Sequence, residues 1–160
     1  MSFKGFEVEI LTRPVENLTV SLTYGYVDSE IEEYIANAAE DLIGNKLLNS
    51  NDMDLNGSIR YDLRIGKLGV LSPRFEWVYV GAAQNSLENN TGESGDFWTS
   101  NARLNCRDND SELGVSLFVE NISDDINVTR LVYNDIAIVG ADGAYVTRPL
   151  VYGVTISYQF

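Results

Sequence analysis

The chain has 160 residues with 24 acidic against 11 basic side chains, and its formal charge of −13 excludes a nucleic-acid ligand and a polybasic lipid-binding surface. A hydrophobic content of 44% excludes disorder, and no apolar run reaches the roughly 18 residues of a membrane helix. One cysteine, Cys106, and no histidine exclude an internal disulfide and remove the commonest general base and transition-metal ligand.

The first eight residues lack a basic region followed by an apolar core, so no signal peptide is expected there. Seven stretches then alternate with a period of two, the mark of an extended strand with one apolar face. Residues 5–13 set Phe6, Val8 and Ile10 against Glu7 and Glu9, and residues 18–28 set Leu18, Val20, Leu22, Tyr24 and Tyr26 against Thr19, Ser21, Thr23 and Gly25. Residues 53–65 place Leu55, Ile59, Tyr61, Leu63 and Ile65 opposite Asp54, Asn56, Ser58, Arg60, Asp62 and Arg64. Residues 70–81 set Phe75, Trp77 and Tyr79 opposite Arg74 and Glu76. Residues 97–107 set Trp98, Ala102, Leu104 and Cys106 opposite Asn101, Arg103, Asn105 and Arg107. Residues 112–121 set Leu113, Val115, Leu117 and Val119 opposite Ser116 and Glu120. The seventh stretch, about 146–160, puts Leu150, Tyr152, Val154, Ile156, Tyr158 and Phe160 on one parity and ends the chain on an aromatic.

Most of these stretches exceed the roughly 5–6 residues of an average globular strand and match the roughly 9–11 of a tilted membrane-crossing one. Their connections alternate strictly. Pro14–Asn17, Gly66–Gly69 and Asp108–Ser111 are short and turn-like, whereas 29–52, 82–96 and 122–145 are long. Outer-membrane barrels have short periplasmic turns and long extracellular loops, so the closing strand is expected to run toward the periplasm. In that register Tyr24, Tyr26, Trp77, Tyr79 and Trp98 are candidates for an aromatic girdle at the outer interface, and Arg60, Arg64, Arg103 and Arg107 are candidate lumen charges. Seven strands do not close a bacterial barrel, which needs an even number. The expected fold is therefore all-β: an antiparallel up-and-down transmembrane β-barrel portion of about seven strands, incomplete. A complete small outer-membrane barrel, structural or a passive pore, and a soluble acidic β-sandwich binding module are the alternatives.

The same residues resemble the C-terminal barrel portion of a TonB-dependent outer-membrane receptor over nearly the whole chain. The resemblance runs through Gly5-Phe-Glu-Val-Glu-Ile10, Arg13-Pro14, Leu22-Thr-Tyr-Gly-Tyr26 and Leu42-Ile-Gly-Asn-Lys-Leu47. It continues in Phe118-Val-Glu-Asn-Ile-Ser-Asp124, Arg148-Pro149 and the closing strand Tyr152–Phe160. The family usually has Asn-x-Pro where this chain has Asn49-Ser-Asn-Asp52, so the rigid approach to the third strand is missing a proline. The resemblance implies that residues 1–160 belong to a larger barrel, with the plug domain absent. It also implies energy-coupled uptake of a scarce nutrient such as a ferric siderophore, cobalamin or a carbohydrate. Implied partners are outer-membrane lipid, the remainder of the barrel and plug, the barrel-assembly machinery, and the TonB energy complex acting through the plug. The implied location is the bacterial outer membrane. Tyr152, Ile156, Tyr158 and Phe160 resemble the terminal assembly signal.

No catalytic constellation competes with this reading, and neither an enzyme nor a cofactor is expected. Glu7 and Glu9 read as wall residues, and Asp124-Asp125 as a polar turn. Asp52, Asp54 and Asn56 have calcium-like spacing but run into a strand with no closing glutamate. The triplets beginning at Asn17, Asn56, Asn121 and Asn127 match glycosylation acceptors by chance composition. The acidic stretch from Asp28 to Asp41 disfavours an anionic ligand at that loop.

Overall fold

Two solvents of different polarity, one on each side of a strand, impose the period-two pattern, and the backbone follows it. The computed structural model describes residues 1–33, 42–66, 69–87, 89, 93–108, 113–132 and 142–159. Its strands are β1 (Ser2–Thr12), β2 (Leu18–Glu30), β3 (Met53–Tyr61), β4 (Leu63–Arg64), β5 (Val70–Val80), β6 (Ala83–Gln84), β7 (Glu93–Ser94), β8 (Phe97–Arg107), β9 (Leu113–Glu120), β10 (Val128–Val132), β11 (Gly143–Val146) and β12 (Val151–Tyr158). One antiparallel sheet runs β1-β2-β3-β5-β8-β9-β12, with β4 continuing the pairing of β3 onto β5. Each long strand thus pairs with its neighbours in sequence, an up-and-down meander of seven long strands. Among the described residues β1 and β12 each pair on one side only, so the wall does not close into a barrel.

Register puts every expected apolar parity on the same face. One row reads Val8, Tyr24, Leu55, Tyr79, Trp98. Another reads Val20, Ile59, Phe75, Ala102, Val119, Tyr152. Among the described residues no second layer packs against this face. Among the described residues only Ile31 and Leu42 are buried apolar side chains, while Phe6, Ile59, Phe75, Leu117 and Val154 are all exposed. A β-sandwich would bury one such face in a core about 10 Å thick, which removes the sandwich alternative.

The structure departs from the expected strands in three places. Residues 53–65 break at Asp62, between β3 and β4. The pairings Arg60↔Arg74 and Leu63↔Leu71 place Pro73 opposite Tyr61, the last residue before the break. Pro73 has no N–H for the ladder to Tyr61, whereas on the other side of the strand the Asp62 N–H continues the β2–β3 register to the Asn17 carbonyl at 2.9 Å. The closing strand begins at Val151 rather than about 146. Val146 belongs to β11, and Pro149 ends the intervening segment. The long connections 82–96 and 122–145 contain short ladders of their own, β6–β7 and β10–β11.

Candidate functional site

The chain presents three surfaces: an apolar wall, a polar wall and a loop end. On the apolar wall the girdle candidates form a band in neighbouring rows. Tyr26 lies beside Phe6. Tyr24, Tyr79 and Trp98 share a row with Leu55 between them, and Trp77 occupies the next row opposite Gly57. Ring contacts tie the band together, with centroids at 5.7 Å for Phe6–Tyr24, 5.8 Å for Phe6–Tyr26, 4.8 Å for Tyr79–Trp98 and 6.0 Å for Phe75–Trp77. Phe6 and Phe75 join this cluster, Phe6 against two rings of the neighbouring strand and Phe75 against Trp77 of its own. Gly57 admits the Trp77 indole over its backbone, and a Cβ there would come within 2.2 Å of the ring. Tyr152, Ile156 and Tyr158 lie on the apolar face of the edge strand β12, at 77%, 70% and 61% exposure. Phe160 lies outside the described residues.

On the polar wall the four candidate arginines gather at the short-turn end, and register adds a fifth, Arg74. Arg60, Arg74 and Arg103 stand directly opposite one another across β3, β5 and β8. Such like-charge pairs repel unless each finds its own partner. Arg60 pairs with Asp62 at 3.2 Å, Arg74 with Glu76 at 2.6 Å, and Arg103 lies 5.5 Å from the centre of the Phe118 ring. Phe118 in turn covers Gly153, where a Cβ would approach its ring to 2.6 Å. Arg64 and Arg107 flank Val70 in a second row and have no ion pair among the described residues. Ser72 donates to Asp62 at 2.7 Å. Asn17, Arg60, Asp62, Arg64, Ser72 and Arg107 help line a recess of about 650 Å³ on this face.

The loop end holds most of the buried side chains: Ser29, Ile31, Leu42, Gln84, Asn85, Ser94 and Asn121. Here the long connections are stitched to one another. Asn45 Nδ2 donates to the Leu87 carbonyl at 2.9 Å, the Asn49 N–H to the Gln84 carbonyl at 2.9 Å, and the Leu131 N–H to Asn85 Oδ1 at 2.9 Å. The approach to β3 that lacks the family proline is held by Asn49, whose φ of 56° is left-handed, by the Asn51↔Ala83 bridge, and by a Lys46–Asp52 ion pair. Asp52 raises the Lys46 pKa through a hydrogen bond and its charge, against a smaller opposing effect of burial. Asn121, with φ 52°, donates to the carbonyls of Asp125 at 2.9 Å and Arg148 at 2.8 Å, while its own N–H meets Asn101 Oδ1 at 2.9 Å. Asp124 accepts from the Leu150 N–H at 2.8 Å. The Asn121-Ile-Ser-Asp124 run therefore clips the end of β9 to the start of β12. Among the described residues no three His, Cys, Asp or Glu side chains converge as a metal site.

No protein-family model matches the sequence, and no curated protein matches it. Solved structures do. The ferric yersiniabactin uptake receptor FyuA from Yersinia pestis superposes with a TM-score of 0.81 at 20% identity, covering 99% of this chain and 23% of its own. BauA, the ferric preacinetobactin receptor from Acinetobacter baumannii, gives 0.77 at 14% identity, covering 99% and 22%. The ferric citrate transporter FecA in its unliganded form gives 0.70 at 20% identity, covering 90% and 21%. At these identities the likeness is one of fold, and the chain spans 21% to 23% of the length of these proteins.

Proposed function

We propose that residues 1–160 are the C-terminal part of the barrel of a TonB-dependent outer-membrane receptor, without the plug domain, and that the protein is a transport component rather than an enzyme. The observation that carries this reading is the uncovered apolar face spanning all seven long strands. Burying one large apolar side chain contributes about 1.5–3 kcal/mol, so leaving a whole wall of them in water forfeits the main driving force of folding. A hydrocarbon solvent removes that loss. Strands of 11 residues reach about 36 Å at roughly 3.3 Å per residue, and a tilt near 45° reduces that to about 25 Å, the height of an outer-membrane apolar band.

In this reading the short turns face the periplasm and the long connections face the outside. Tyr24, Tyr26, Trp77, Tyr79 and Trp98 sit at the outer lipid interface. Arg60, Arg64, Arg103 and Arg107 face the lumen, and Tyr152, Ile156, Tyr158 and Phe160 present the closing strand to the barrel-assembly machinery. The two open edges meet the remainder of the barrel, and the TonB energy complex acts through the plug. The cargo is a scarce nutrient such as a ferric siderophore, cobalamin or a carbohydrate. FyuA, BauA and FecA, named for ferric cargo, favour the first.

The test joins fractionation to uptake. The gene is expressed with its upstream reading frame, and the protein is expected in the outer-membrane fraction with heat-modifiable gel migration. Uptake of a labelled ferric siderophore is expected to need both this protein and an energised inner membrane. A monodisperse monomer free of detergent would overturn the reading.

A further inference from the structure

At the short-turn end, between β3 and β8, the charge of the polar wall is opposite to that of the chain. Overall the sequence is strongly acidic, yet at the short-turn end five arginines share the polar face with Asp62 and Glu76. Both carboxylates are already engaged, Glu76 by Arg74 and Asp62 by Arg60 and Ser72. The Nε–H groups of Arg60 and Arg74 are shielded from solvent and find no acceptor among the described residues. Buried donors of this kind ordinarily have a partner.

We propose that the recess of about 650 Å³ between β3, β4, β5 and β8 is an oxyanion-binding site for a carboxylate or phosphate, with Arg64 and Arg107 as its principal ligands. These two arginines stand on either side of Val70, two strands apart. Their backbones are therefore separated by about 9–10 Å at the usual strand spacing, a span that two long guanidinium side chains close onto one anion. Guanidinium forks match the geometry of carboxylate and phosphate oxygens, and the resulting bonds are charge-assisted. Arg60 lines the same recess and is held there by Asp62, so part of the ordering cost precedes binding. A cation is excluded, because three arginines outweigh the single carboxylate lining the recess. The proposal needs only the folded wall and stands whether or not the protein transports anything.

The oxyanion has two possible sources, a free anion or a carboxylate on a polypeptide segment, and the experiment separates them. The full chain is refolded in detergent micelles at neutral pH and low salt, then titrated calorimetrically with inorganic phosphate and with citrate. Saturable binding is expected, weakened about a hundredfold in Arg64→Gln/Arg107→Gln by loss of two charge-assisted hydrogen bonds worth roughly tenfold each. Arg130→Gln, at the opposite end, is expected to leave binding unchanged. If neither free anion binds, the same titration with an acidic peptide tests the second source, and saturable binding to wild type that is lost in the double variant assigns the site to a polypeptide carboxylate. Equal binding by wild type and double variant overturns the proposal. So does absence of binding by phosphate, citrate and the acidic peptide alike.

Discussion

Gly57→Ala is expected to destabilise the wall although it adds only a methyl group, because Gly57 is buried beneath the Trp77 indole. The added Cβ overlaps the Trp77 six-membered ring and lies 2.8 Å from Nε1, so the indole has to swing away from the strand. Overpacking of this kind costs about 1–3 kcal/mol, while restricting the unfolded backbone returns about 0.4–1 kcal/mol. The net expectation is a loss of about 1–2 kcal/mol. Gly25→Ala supplies the contrast, because no atom lies within 4 Å of its Cβ position and only the unfolded-state gain of about 0.4–1 kcal/mol remains. Both variants are compared by urea unfolding of the refolded chain in micelles. The chain has two tryptophans, so a Trp98→Phe parent leaves Trp77 as the only indole and its emission maximum reports the ring's displacement. A Gly57→Ala variant as stable as its parent, with unchanged Trp77 emission, would refute the close-packing argument.

Leu117→Arg, on the apolar face, is expected to cost about 2–4 kcal/mol in a bilayer, and Ser116→Arg, one residue away on the polar face, clearly less; equal costs in liposome unfolding would undo the face assignment. Asn121→Ala should cost about 2–4 kcal/mol, because it strips hydrogen bonds from two carbonyls at a 5% exposed site and puts alanine in a left-handed conformation. Asn121→Gly should recover only the backbone share, about 1 kcal/mol, in the same unfolding assay. The Lys46 pKa is raised in the fold, so its tie to Asp52 is fully present below the unfolded value of about 10.4 and is lost as pH rises through the raised folded value. Proteolysis within residues 42–52 by an alkaline-active protease should therefore accelerate only in strongly alkaline solution, whereas in Asp52→Asn it should already be fast below that pH and show no alkaline step.

The strands were legible because each carries its own pattern. Whether a residue such as Ile59 or Arg60 faces lipid or lumen is decided by parity within one strand, and parity survives without knowledge of any neighbour. What depended on neighbours was not legible. The break at Asp62 comes from Pro73, which lies eleven positions later and acts only once the two strands pair. Parity puts Arg74 on the polar face with Glu76, but its place between Arg60 and Arg103 exists only in the register. The ladders β6–β7 and β10–β11 are too short to establish a period of two. The part played by Asn121 was hidden for a third reason, since its amide serves carbonyls 4 and 27 positions away.

The meander has a consequence for how such a wall changes over time. Each long strand is bonded to the strands beside it, and almost no side chain in the described wall depends on a shared interior. Its stability is then close to a sum of nearest-neighbour terms, as in a linear repeat protein. Removing or duplicating a hairpin leaves no cavity to collapse and no core to refill, so the wall can be lengthened by units. A globular domain has no comparable freedom, because each of its strands helps to fill a common interior. The absence of a core makes the number of strands in the wall an evolvable quantity, set by what the enclosed space has to hold.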